Sequence, residues 1–279
     1  MSQGPLLEVE DLNVSFPGRG GTTRAVRNAS FFLGRERLGI VGESGSGKST
    51  TGRALLGLIP SPGVVTAKRM ALAGQDLRAL SDAHWQKLRG RRMSMVMQDP
   101  KYSLNPVLKV GQQIAETYRL HHRTTAQDAR RRTVAMLEAV KIRDPDLVYH
   151  LYAHQLSGGM GQRVMIAMML IAEPDLLIAD EPTSALDVTV QNEVLRILDD
   201  LVTDRGMGLI FISHNLTVVS SFCDRVLVMY GGRIVEECKA SELSAAKHPY
   251  TRALIQAAPS LDHPVAELAV VTRDPGWLR

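Results

Sequence analysis

An α/β fold built on a mostly parallel sheet is the architecture that this 279-residue sequence predicts. One observation is rhythm: short apolar runs such as Arg37–Val41, Leu176–Ala179 and Leu209–Ser213 alternate with stretches of helical pattern. That alternation is the mark of parallel strands covered by helices on both faces. The other is a single unit, in which the run Arg37–Val41 enters a Gly/Ser-rich turn that opens straight into a helix.

Taken in order, the alternation of Leu7, Val9, Leu12 and Val14 predicts a first strand, and Ala25–Leu33 a second, with Gly18–Gly21 as the loop between them. The helix after the Gly/Ser turn is expected over 48–58, ended by Pro60 and Pro62-Gly63. Met93–Gln98 reads as a strand leading into an Asp99-Pro100 loop. Residues 101–155 are charged and helical, interrupted at Asn105-Pro106 and Asp144-Pro145, and read as a helical insert in the α/β frame. From Gly158 the rhythm returns: a helix, strand Leu176–Ala179, helix 189–204, strand Leu209–Ser213, helix 215–222 and strand Arg225–Tyr230. Gly231-Gly232 then makes a two-residue hairpin turn into Arg233–Glu236.

Composition narrows the classes. The chain is 44% hydrophobic and 22% charged, an ordinary globular balance. No stretch approaches the ~18–20 apolar residues that span a bilayer, and the first residues have neither the basic nor the apolar region of a signal peptide. Any path across a membrane is therefore expected from other chains. The net charge of +4 is dispersed, with clusters at Arg89–Arg92 and Arg130–Arg132 that read as solvated helix faces rather than a nucleic-acid surface. Cys223 and Cys238 are too few for a metal-ligand set and fit a reducing compartment, with a pairing between them left open.

Three motifs carry chemistry. Gly42, Glu43, Ser44, Gly45, Ser46, Gly47, Lys48 and Ser49, followed by Thr50, fit G-x-x-x-x-G-K-[ST] between a strand and a helix. Glycines let backbone N–H groups curl around phosphate oxygens, and the helix N-terminus adds partial positive charge. Lys48 is expected on the β- and γ-phosphates and the Ser49 hydroxyl on Mg²⁺. Second, the apolar run Leu176–Ala179 ends in Asp180 and Glu181. Charge at the end of a buried strand needs a purpose. Asp180 suits a water-mediated Mg²⁺ contact and Glu181 the base for an attacking water, the alternative being a helix-start carboxylate pair before Pro182. Third, Ser157, Gly158 and Gly159 open a long apolar helix, either as an anion-binding start or as an N-cap serine with loop glycines.

In this order (Gly-rich turn, helical insert, Leu156-Ser-Gly-Gly-Met160, Asp-Glu strand) the sequence resembles the ABC (ATP-binding cassette) ATPases from about Leu6 to Glu237. The resemblance implies a P-loop NTPase core with a mostly parallel sheet, an N-terminal antiparallel β subdomain and an inserted ABC helical subdomain. It implies an ATPase domain over 1–238, its helical subdomain at about 101–165, and a C-terminal extension over 239–279. It makes Gln98 the residue that touches Mg²⁺ and water, Asp187 part of a loop crossing a dimer interface, and His214 a contact to the γ-phosphate. Phe16 becomes a candidate to stack on adenine, or equally a strand core residue. The signature Ser157 would face ATP held by a partner subunit. Asn215, where an aspartate is usual, and Gly161, where a longer polar residue is usual, depart from the family pattern.

Gln98–Pro106, the Met-bearing signature and His248-Pro-Tyr-Thr-Arg-Ala-Leu254 resemble the dipeptide, oligopeptide and nickel importer branch. That implies a similar but distinct second cassette, two permease subunits and an extracytoplasmic solute-binding protein, with the chain peripheral on the cytoplasmic face of the bacterial inner membrane. Peptides, nickel chelates or opine-like compounds are the implied solutes. No cysteine follows Cys238, so no iron–sulfur cluster is expected. The alternative within the same chemistry is the ATPase of a non-transport assembly such as the carbon–phosphorus lyase complex.

Overall fold

The computed structural model describes residues 4–99, 103–184, 186–257 and 275–278. The elements begin with strands β1 (Leu7–Gly18), β2 (Gly21–Leu33) and β3 (Arg37–Val41), then helix α1 (Lys48–Leu55). Strands β4 (Val64–Thr66), β5 (Arg69–Leu72) and β6 (Gln75–Asp76) precede α2 (Asp82–Leu88) and β7 (Met93–Val96). Helices α3 (Val110–His121), α4 (Ala126–Ala139), α5 (Pro145–Tyr149) and α6 (Gly158–Leu170) follow. Then come β8 (Leu176–Asp180), α7 (Val188–Arg205), β9 (Gly208–Ile212), α8 (Leu216–Phe222), β10 (Arg225–Tyr230), β11 (Arg233–Lys239) and α9 (Pro249–Ala257). They form two compact units, one from Met1–Leu80 with Ile210–Arg279 and one from Ser81–Leu209.

The first unit carries the antiparallel sheet β2-β1-β5-β6, with β4 also paired to β1. Its strand β1 explains an oddity of the sequence. The alternation Leu7, Val9 slips phase before Leu12, Val14, yet all four are buried. Asp11, with φ 55°, absorbs the extra residue in a bulge where the β1–β2 register shifts. The same unit contains β11, β10, β3 and, from Ile210, β9 as successive neighbours, β10 being parallel to β3 and antiparallel to β11. Every residue of β9, and all but Arg37 and Arg225 in β3 and β10, is buried, as strands covered on both faces require.

In the second unit β7 runs parallel to β8, again fully buried. Helices α3, α4, α5 and α6 pack on one another, and Ile114, Leu137, Val148 and Val164 on them are buried. The mostly parallel sheet, the N-terminal antiparallel sheet and this helical cluster are the architecture the sequence predicts.

One expected boundary changes. Helix α1 ends at Leu55, before the prolines: Gly57 takes φ 61°, its N–H donates to Ala54 O (3.0 Å) and Leu58 N–H donates to Arg53 O (2.9 Å). This left-handed glycine cap satisfies the last carbonyls, so Pro60 and Pro62 lie in the following loop. The interruption at Asp144-Pro145 falls between α4 and α5, with Pro145 at the first position of α5, where no N–H is needed. Helix α2 and the small strands β4–β6 were not anticipated by the hydrophobic pattern. Both cysteines are free thiols, and burial raises the Cys223 thiol to about 12. The arginine clusters are engaged locally: Arg89 lies over the Trp85 ring (5.2 Å), Arg92 pairs with Asp175, Arg130 lies over Tyr149 (5.3 Å) and Arg131 pairs with Asp128.

Candidate functional site

In the first unit the strand β3 delivers the chain into the loop 42–47. Gly42 adopts φ 148°, and a Cβ there would stand 2.2 Å from Met229 O. Gly47, the N-cap of α1, adopts φ 104°, and a Cβ would stand 2.5 Å from Ala25 O. Both positions exclude a side chain by backbone conformation and by contact with backbone that cannot yield. Lys48 is 5% exposed, and its ammonium donates to Gly42 O and Glu43 O, each at 2.8 Å. The loop is therefore wrapped around a cation. Gly232 N–H donates to Ser46 O (3.1 Å), and Glu43 N–H donates to Tyr250 Oη (2.9 Å).

The Ser46 hydroxyl is buried with no hydrogen-bond partner among the described residues. Buried polar atoms are ordinarily paired, so this one marks a place where an acceptor belongs. Ser44 and Gly45 are exposed, while Ser49 and Thr50 are half-buried on the first turn of α1. An exposed rim above a buried cation, on a helix N-terminus, fits a polyphosphate.

Also in this unit, His214 is exposed just beyond β9, and Ser213 N–H donates to Ile40 O (3.1 Å), tying its neighbour to the strand that enters the loop. Asn215 caps α8, its Oδ1 accepting Val218 N–H at 3.2 Å. The departure from the family's aspartate thus keeps a capping oxygen. Asn215→Ala is expected to cost about 1 kcal/mol of stability, as cap removal does, and Asn215→Asp close to nothing; thermal melting checks both. Phe16 is half-buried in β1, opposite Thr23, with an edge atom 2.8 Å from where a Gly63 Cβ would sit.

In the second unit Asp180 is buried at the end of β8, and Glu181 follows with φ 49°. A non-glycine residue held left-handed costs of order 1–3 kcal/mol and persists only when its surroundings fix it. Ser184 does so from both sides, donating to Glu181 O through its N–H (3.3 Å) and its hydroxyl (3.2 Å). Parallel pairing of Val96 with Ala179 puts Gln98, exposed two residues past β7, at the same sheet end as Asp180 and Glu181. Asp187 caps α7 through Val190 N–H (3.0 Å).

Ser157 caps α6, its hydroxyl accepting Met160 N–H at 3.3 Å. A Cβ on Gly159 would meet Val190 Cγ1 at 2.6 Å, so packing against α7 demands that glycine. A Cβ on Gly158 would meet nothing within 4 Å. Nothing described in this chain requires glycine at 158. Gln113, which no sequence motif marks, fastens residues 105–108: it accepts Asn105 N–H (2.9 Å) and donates to Asn105 O and Leu108 O, each at 3.0 Å. Pro100, Lys101 and Tyr102 of the Gln98–Pro106 segment lie outside the described residues, as do Ala185 and 258–274 and 279 of the extension.

A glycine loop wrapped around a buried lysine, strand-end carboxylates on a parallel sheet and an inserted helical cluster define a P-loop nucleotide hydrolase of the cassette type. The family model described as ABC transporter matches residues 27–184, and the chain belongs to that family. It is 46% identical over 257 residues to a probable peptide ABC transporter ATP-binding protein, y4tR, of Sinorhizobium fredii, covering 91% of this chain and 77% of that protein. It is 46% identical over 260 residues to the oligopeptide transport ATP-binding protein OppD of Bacillus subtilis, covering 92% of this chain and 73% of that one. Among solved structures, cbiO1 of Clostridium perfringens, part of the ABC transporter complex cbiONQ, superposes with a TM-score of 0.73 at 28% identity over 86% of this chain and 91% of that one. The protein is an ABC-type ATP hydrolase, and among its described residues no helix is long and apolar enough to cross a membrane.

Proposed function

We propose that this chain is one of two ATPase subunits driving an importer of peptides or related small solutes, seated on the cytoplasmic face of a bacterial inner membrane. The observation that supports the ATP reading best is the loop 42–47 closed around Lys48 with the unpaired Ser46 hydroxyl inside it. Likeness over nine-tenths of the chain to proteins named for peptide transport supports the cargo class. Residues 1–238 form the ATPase domain, with its helical subdomain at about 101–165, and 239–279 the extension. Two permease subunits, a similar second cassette and an extracytoplasmic binding protein complete the assembly.

In this reading Lys48 and the N–H groups of the loop and of α1 hold the phosphates, and Phe16 stacks on the base. Oxygen donors suit Mg²⁺, a hard cation: the Ser49 hydroxyl of the first unit, and Gln98 and, through water, Asp180 of the second, are the residues that would hold it, and the ion would offset charge on the phosphate oxygens. Glu181 orients a water and accepts its proton as the oxygen forms a bond to the γ-phosphorus, releasing ADP and phosphate. His214 contacts the γ-phosphate. Ser157, Gly158 and Gly159 face the partner's nucleotide, and Asp187 lies at that interface. Hydrogen bonds to charged phosphate contribute about 1.5–3 kcal/mol each. Several formed across an interface with ATP and lost after hydrolysis suffice to drive a closed-to-open switch.

The test is purification from detergent-solubilised membranes together with uptake of a labelled oligopeptide by cells. Two integral membrane subunits should copurify, and uptake should vanish on deletion and return with the wild-type chain. Recovery with soluble enzymes only, and uptake unchanged by deletion, would overturn the importer reading.

A further inference from the structure

The C-terminal extension reaches the loop 42–47 directly. Tyr250, on the first turn of α9, has no solvent exposure, and its hydroxyl accepts the Glu43 N–H at 2.9 Å across 207 residues of sequence. A fully buried phenol is costly unless its oxygen is paired, and here the partner is the backbone of the loop itself. The ring is fixed on two sides, by Tyr230 (4.4 Å between centroids) and by Trp277 (5.5 Å), which also touch each other at 5.4 Å.

Tyr230 is not a neutral neighbour. It ends β10, the residue before it presents Met229 O to Gly42, and the hairpin residue Gly232 donates to Ser46 O. The loop is thus held at Ser46 from the β10–β11 turn and at Glu43 from α9. The start of α9 is itself fastened, because Glu236 on β11 accepts the N–H groups of Lys247 (2.6 Å) and His248 (3.3 Å), and His248 Nδ1 accepts Tyr250 N–H (3.2 Å).

We propose that Tyr250 is a positioning residue of the nucleotide site: by engaging the Glu43 N–H it sets the curvature of the phosphate-binding loop, and the extension acts as a clamp on that loop. The proposal rests on the reading of 42–49 as the phosphate cradle. A loop whose second residue is untethered samples more conformers before binding, so nucleotide affinity falls by the fraction of time the cradle is formed. The chemical step, carried by other residues, is unaffected.

The variant Tyr250→Phe keeps the ring stack and removes one oxygen. Equilibrium binding of a fluorescent ATP analogue to the full-length chain, and steady-state phosphate release, are expected to show Kd and KM about 5–10-fold higher, the effect of one lost hydrogen bond. The value of kcat should stay within about twofold of wild type. A purely structural tyrosine would lower the melting temperature and leave KM unchanged. Affinity within about twofold of wild type, measured below the melting temperature of both proteins, therefore overturns the proposal. Failure of the wild-type chain to bind ATP would instead overturn the cradle reading on which it stands.

Discussion

Glu181→Gln is expected to lower ATP turnover by about 10²–10⁴-fold, the contribution of a positioned general base, while ATP affinity stays close to wild type. The amide is isosteric but takes no proton at neutral pH, so the change removes the chemistry and keeps the shape. Retention of binding follows from the placement of the residue. Glu181 stands beyond the end of β8 in a left-handed turn held by Ser184 through the main chain, and those hydrogen bonds use its carbonyl rather than its side chain. Glutamine can occupy the same backbone at similar cost. Phosphate release and equilibrium nucleotide binding, measured on one preparation, separate the two quantities. Turnover within tenfold of wild type would remove Glu181 from the catalytic role.

Lys48→Ala should act on the other side of that division, weakening ATP binding by about 10–150-fold, which is the loss of one charged hydrogen bond of about 1.5–3 kcal/mol. Lys48 already holds two loop carbonyls at 2.8 Å and is nearly fully buried, so the ammonium is in place before a nucleotide arrives. Preorganisation of this kind turns most of the charge–charge attraction into affinity, since little side-chain freedom remains to be lost. Isothermal titration with ATP and Mg²⁺ checks the prediction. Unchanged affinity sinks the cradle assignment, and loss of cooperative melting would reveal that the lysine serves the fold of the loop instead. With Tyr250→Phe the three variants separate three proposed roles: a base, a phosphate contact and a loop support.

Much of the fold was legible because buried parallel strands leave a plain record. The runs Arg37–Val41, Leu176–Ala179 and Leu209–Ser213 are continuous apolar segments, and each matches an observed strand to within a residue. Element ends are less legible. Helix α1 stops where Gly57 can adopt φ 61° and close the last turn, an event set by one residue's backbone freedom rather than by the prolines beyond it. Pro145 begins a helix because Asp144 turns the chain into it. Helix α2 was missed because only Trp85 and Leu88 of its seven residues are buried, too few for a period to show.

The candidate site divides the same way. Sequence alone determined the chemical groups and their local settings: Lys48 after a glycine turn, Asp180 and Glu181 at a strand end, Ser157 with two glycines opening a helix, because each depends on spacing within a few residues. Tertiary structure alone decided why Gly42 and Gly159 must be glycine, since the obstacles are Met229 O and Val190, far along the chain. It also decided that Tyr250 belongs with the loop. The tail motif was visible in the sequence, but no local pattern links residue 250 to residue 43; only packing of Tyr230, Trp277 and α9 brings a phenol to that N–H. Short-range stereochemistry is written in neighbouring letters, whereas contacts across some 200 residues exist only once the core has closed.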